Sequence, residues 1–325
     1  MYFLLFVALS SAMTLNEFAK LSSTSRDKIS SVNMFFRGKA YQSLSDIKHS
    51  EANDKIVVKM MKKTVHRETK EALREFIKTN YITNKTANYV DIAAKTHEME
   101  ADVIKGFDGV HTKFVQAVVN TTASVKKVLK AEKIEATVSN AGVKTIGVDL
   151  AKQLRMGNNV TSDQLEKVFN TSIEAMKNVT QTFANSTKDK LEAIAAAVKF
   201  IKTGEMKMLE SYNKMYTLFR LALTEKLFVN HTIVNSTTEK SKLAKQVKVD
   251  IQQQTNKLVG VQKDLIKEKK VIEKAQKKIN KKINKPVKKA MKKMAKKVIK
   301  NTKKAAKDTK KATTPAAAKC VKPKK

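Results

Sequence analysis

EMKMLESYNKMYTLFRLALTEKLF, residues 205–228, is the most apolar stretch of the chain past its first residues. Met206, Met208, Leu209, Tyr212, Met215, Tyr216, Leu218, Phe219, Leu221, Leu223, Leu227 and Phe228 crowd into it. Methionine and aromatic residues at helical steps mark the inner side of packed helices rather than a ligand pocket. This segment is therefore expected at the centre of a helical assembly.

Working outward toward the N-terminus, the same character persists. Thr161-Ser-Asp-Gln164 reads as a capping box that opens a helix, with Leu165, Phe169, Ile173, Met176 and Phe183 at helical spacing to about residue 203. Upstream the expected pieces are shorter. Residues 13–50 are mixed and Ser-rich, with Phe35-Phe36-Arg37-Gly38 as a break. A helix follows from a cap at Ser50, carrying Ile56, Met60, Ala72, Leu73, Phe76 and Ile77 inward, and Asn80–Asn84 interrupts it. Gly106-Phe-Asp-Gly109, Asn140-Ala-Gly142, Gly157 and Gly204 are read as further stops. No proline precedes Pro286, tryptophan is absent, and no alternating strand pattern with hairpin signals occurs. The fold class is all-α: several long amphipathic helices in an elongated bundle or coiled-coil-like arrangement.

Downstream, Ile251, Leu258, Leu265, Ile272 and Ile279 recur every seven residues. Their companion row, Val247, Gln254, Val261, Glu268, Ala275 and Lys282, is partly polar. Residues 241–285 thus form one long helix, either in a coiled coil with a weak seam or folded back on the chain's own helices. Pro286 kinks or restarts it.

From Lys274 to Lys325 there are 22 lysines, no arginine and one acid, Asp308, a net +21 in 52 residues of a chain carrying +36. The polyanion-binding candidates are the doublets Lys277-Lys278, Lys281-Lys282, Lys288-Lys289, Lys292-Lys293, Lys296-Lys297, Lys303-Lys304 and Lys310-Lys311. Ile279, Ile283, Val287, Met291, Met294, Val298 and Ala305 fall within an arc of roughly 120° opposite them. Residues 286–325 are read as a Lys-rich amphipathic helix followed by a flexible tail. Residues 303–319 resemble a linker-histone tail in composition.

The first twelve residues, MYFLLFVALSSA, read as a secretion signal: an apolar run too short to span a bilayer, ending in a small-x-small pattern. N-glycosylation sequons begin at Asn84, Asn120, Asn159, Asn170, Asn178, Asn185, Asn230 and Asn235. That is eight of 20 asparagines, where 47 Ser and Thr in 325 residues would place about three by chance. All eight lie in the helical region 13–240 and none in the lysine-rich end. Asn159, Asn170, Asn178 and Asn185, separated by 11, 8 and 7 residues, share one side of a continuous helix.

Motifs for catalysis are missing. His97-Glu98 begins like a zinc-protease motif, but Ala101 stands where the second ligand belongs. Glu98, Glu100 and Asp102 read as a solvated helix face. No Gly-rich phosphate loop or nucleophile elbow occurs, and a single cysteine excludes a disulfide framework. No cofactor or metal is expected. Cys320 is either an interchain disulfide that makes a homodimer or an incidental thiol.

These features point to a secreted, N-glycosylated, non-enzymatic helical protein. Its lysine-rich end would bind polyanions: sulfated glycosaminoglycan first, extracellular nucleic acid next. The alternatives are an effector with a nuclear-import-like basic tail acting in another cell, a protein bound to an anionic membrane surface, and a structural coiled-coil secretion.

Overall fold

The computed structural model describes residues 15–83, 89–155, 162–225 and 227, with isolated positions between 249 and 289. Three helices dominate: α1, Leu15–Thr83; α2, Tyr89–Arg155; and α3, Ser162–Thr224. No strand occurs among the described residues. At 69, 67 and 63 residues, each helix runs for about 95–105 Å.

Contacts give the direction of each helix. Between α1 and α2, Ser30 meets Asn140, Asp54 meets His111 and His66 meets Glu100, one number falling as the other rises. Those helices are antiparallel. Between α1 and α3, Phe18 meets Phe169, Asn53 meets Glu205 and Glu68 meets Tyr216, so these two run parallel. The result is an up-down-up bundle in which every helix packs against both others.

The buried rows explain why the helices lie side by side for so long. On α1 the buried positions lead from Phe18 through Ile29, Phe36, Ile47, Val58, Val65 and Thr69 to Phe76. That path covers 58 residues in roughly sixteen turns, close to 3.6 residues per turn. A row with the helix's own period stays on one face without much supercoiling. α2 repeats the pattern from Met99 to Leu150, and α3 from Met176 to Leu223.

The expected centre of the bundle is where it was sought. Met208, Tyr212, Met215, Phe219, Leu223 and Leu227 are buried, and the Tyr212 ring stands edge-on to Phe107 at 5.4 Å. Each such side chain contributes roughly 1.5–3 kcal/mol by leaving water. Met206 and Leu221 of the same stretch face outward.

Several expected boundaries are absent. α1 passes through Phe35-Phe36-Arg37-Gly38, burying Phe36 and exposing Phe35. Ser50 is buried in mid-helix instead of capping. α2 passes through Gly106, Gly109 and Gly142, and α3 through Gly204. A glycine costs a helix about 1 kcal/mol against alanine, too little to break one held on two sides by its neighbours. The stops that do hold are those near Asn80–Asn84 and Gly157, where α1 and α2 end.

Ile56, Met60 and Ile77, expected inside, are exposed by 58%, 62% and 42%. Leu73 and Phe76 of the expected row are buried, and with them α1 turns Asp54, Val58, Val65 and Thr69 inward.

The chain divides into two compact units, residues 1–272 and 273–325. In the second, Lys274, Lys277, Lys281 and Lys289 are among the described residues and are helical and exposed. The remaining doublet lysines, Cys320, the first twelve residues and the expected heptad row lie outside the described residues.

Candidate polyanion-binding and glycosylation sites

Four sequon asparagines fall within the bundle: Asn120 on α2 and Asn170, Asn178 and Asn185 on α3, all exposed. Three of them are set outward by a neighbour turned inward. Val179 is buried beside Asn178, Thr121 beside Asn120, and Ser186 and Thr187 follow Asn185 into the core. Gln116 donates to the Asn120 side-chain oxygen at 3.1 Å and Gln181 to that of Asn185 at 2.9 Å, one helical turn apart in each case. Asn84, Asn159, Asn230 and Asn235 lie outside the described residues.

The bundle also holds polar layers that sequence reading missed. Glu132 and Lys190 are completely buried, and the Lys190 ammonium donates to both Glu132 and Glu135. Thr187 adds a hydrogen bond to Glu132 at 2.6 Å, and Ser186 one to Glu135 at 3.3 Å. Burial of a charge is tolerated only where its partners replace water in this way.

Nearer the other end, buried Asp54 accepts from His111 Nδ1 and from the Tyr212 hydroxyl at 3.0 Å. Burial, reinforced by the Asp54 carboxylate, pushes the Tyr212 hydroxyl well above the usual tyrosine range. Tyr216 donates to Glu68, and burial followed by that hydrogen bond holds its hydroxyl above the usual tyrosine range too.

Glu100 corrects the reading of Glu98, Glu100 and Asp102 as one solvated face. Glu98 and Asp102 are exposed, but Glu100 is buried and its two oxygens accept from His66 at 2.7 Å and His97 at 3.1 Å. The signal was present as a polar residue beside an apolar row. Glu132 sits seven residues past Val125 and four before Ala136, and Lys190 seven past Phe183 and four before Ile194. In a chain with 30% charged residues such positions do not stand out.

Among the described residues no group of three or more His, Cys, Asp or Glu side chains is placed to hold a metal ion. No described helix is long and apolar enough to cross a membrane. Comparison with known proteins finds no family model that matches the chain and no curated protein that matches it.

Proposed function

We infer that this chain is an exported, N-glycosylated protein that binds polyanions through its lysine-rich C-terminal end. The observation that carries the reading is the net +21 over residues 274–325, built without one arginine. Lysine presents a hydrated point charge on a flexible stem, whereas arginine's fork selects planar anions with two hydrogen bonds. A lysine-only segment binds by charge density, and sulfated glycosaminoglycan is the extracellular polyanion that meets that description best.

Two features support export. The sequons are in excess over chance and confined to residues 84–235. The four described ones stand exposed, so a glycan on any of them projects into solvent. The Lys277, Lys281 and Lys289 side chains are exposed as well, available to a ligand.

The test is removal of residues 286–325. The shortened chain is expected to elute from immobilised heparin at clearly lower salt than the intact one. If about eight lysines engage phosphates, binding of the intact chain to duplex DNA should fall with salt at a log–log slope near −7. Unchanged heparin retention after the deletion would overturn the reading.

A further inference from the structure

The solvent side of α1 carries a second concentration of charge. Lys55, Lys59, Lys63, Arg67, Lys70 and Arg74, continued by Lys78, are all exposed. Their steps of three and four residues keep them on one stripe about 35 Å long. The buried row of Val58, Val65, Thr69, Leu73 and Phe76 faces away from it.

Glu71 and Glu75 stand exposed beside this stripe on α1 without forming an ion pair with it. Asp108 is held by Lys62, and Glu100 by His66 and His97. Among the described residues no carboxylate forms an ion pair with any of the seven cations. Yet Lys55 and Lys59, Lys59 and Lys63, Lys63 and Arg67, Lys70 and Arg74, and Arg74 and Lys78 are like charges four residues apart, which weakens a helix. Ion pairs within the bundle therefore do not account for this row. The richest run on α2, Lys126, Lys127, Lys130 and Lys133, extends only about 10 Å.

We propose that this stripe is a second binding site, for a single extended chain of sulfated polysaccharide. The track is one helix wide. Glu71 and Glu75 are exposed on α1 itself, and Glu98 and Asp102 are exposed on the antiparallel stretch of α2. A flat anionic bilayer or a duplex would bring its own charge against those acids, and a narrow chain would not. Single-stranded nucleic acid calls for aromatic platforms under its bases. The stripe has none, the exposed Phe35 and Tyr41 lying well upstream. Arg67 and Arg74 supply the two-pronged donors suited to sulfate that residues 274–325 lack. Ile56, Met60 and Ile77, exposed among the cations, offer apolar contact to the sugar rings.

This second site rests on the proposed export and choice of polysaccharide but not on the tail lysines, from which the stripe is separate in the sequence. The test therefore uses the full chain in three variants. One replaces Lys59, Lys63, Arg67 and Lys70 by Gln. A second replaces Lys288, Lys289, Lys292 and Lys293 by Gln. The third, a control of equal charge, replaces the scattered Lys20, Lys144, Lys188 and Lys202 by Gln.

The stripe variant is expected to weaken binding of a heparin dodecasaccharide about tenfold beyond the control, with unchanged helicity. In the unaltered chain, the oligosaccharide should protect Lys59, Lys63 and Lys70 from acetylation, read by mass spectrometry without any substitution. Absence of that protection, or equal losses in stripe and control variants, would overturn the proposal. Equal protection by duplex DNA or phosphatidylserine vesicles would overturn its assignment to a polysaccharide. A tail variant that binds normally while the stripe stays protected counts against the tail reading alone.

Discussion

Lys190 has no exposed surface and bridges Glu132 and Glu135, which places one cation between two carboxylates deep between α2 and α3. Removing it leaves those acids facing each other without a counterion, so Lys190→Met is expected to cost about 3–5 kcal/mol. Replacing the acid as well, in Lys190→Met with Glu132→Leu, should recover much of that loss, because a well-packed apolar pair needs no desolvated partner. Urea denaturation followed by circular dichroism measures both. A single variant as stable as the parent would mean that the two carboxylates are not left uncompensated in the core. Such a layer stabilises the fold little when intact and penalises any register that separates its members.

At the scale of the helix, the glycines report how strongly the neighbours hold each element. Nothing lies within 4 Å of a Cβ added at Gly38, Gly109 or Gly142, and all three sit in continuous helix. Alanine at each should therefore stabilise the bundle by roughly 0.5–1 kcal/mol, mainly by restricting the unfolded chain. Gly147 differs, since its Cβ would meet the Ser22 hydroxyl at 3.2 Å, with the Phe18 ring close behind at 3.8 Å. Gly147→Ala should give less or destabilise. Thermal melts of the four single variants order them directly. A lower melting temperature for Gly109→Ala would show that the glycine has a use the helix does not reveal.

Across the molecule, sequons and the densest basic charge occupy different regions. The bundle carries exposed Asn120, Asn170, Asn178 and Asn185, while residues 274–325 carry the +21 and no sequon. Treating secreted material with peptide N-glycosidase is expected to lower its mass. Changing Asn170, Asn178 and Asn185 to Gln should shrink that shift without altering helicity, since none of the three is buried. A mass that does not move in protein from its native source would remove the basis for export.

Much of this architecture was readable in one dimension. A chain with no proline before Pro286, long apolar rows at helical spacing and the Met-rich stretch 205–228 can satisfy its backbone only as helices packed on one another. The chain breaks near residues 84 and 157 and the concentration of lysine were equally plain, because each is a local property. Which side of each helix faces inward was not local. Ile56, Met60 and Ile77 lie outside while Asp54, Glu100, Glu132 and Lys190 lie inside. The difference arises because a row is buried only if the two opposing helices offer it complementary shape and partners. The through-running glycines follow the same rule: a penalty of about 1 kcal/mol is decisive for an isolated helix and minor for one packed along its length against two others. The stripe on α1 became visible only after packing had assigned its lysines and arginines to solvent, and Asp108, Glu100 and Glu68 to other cations.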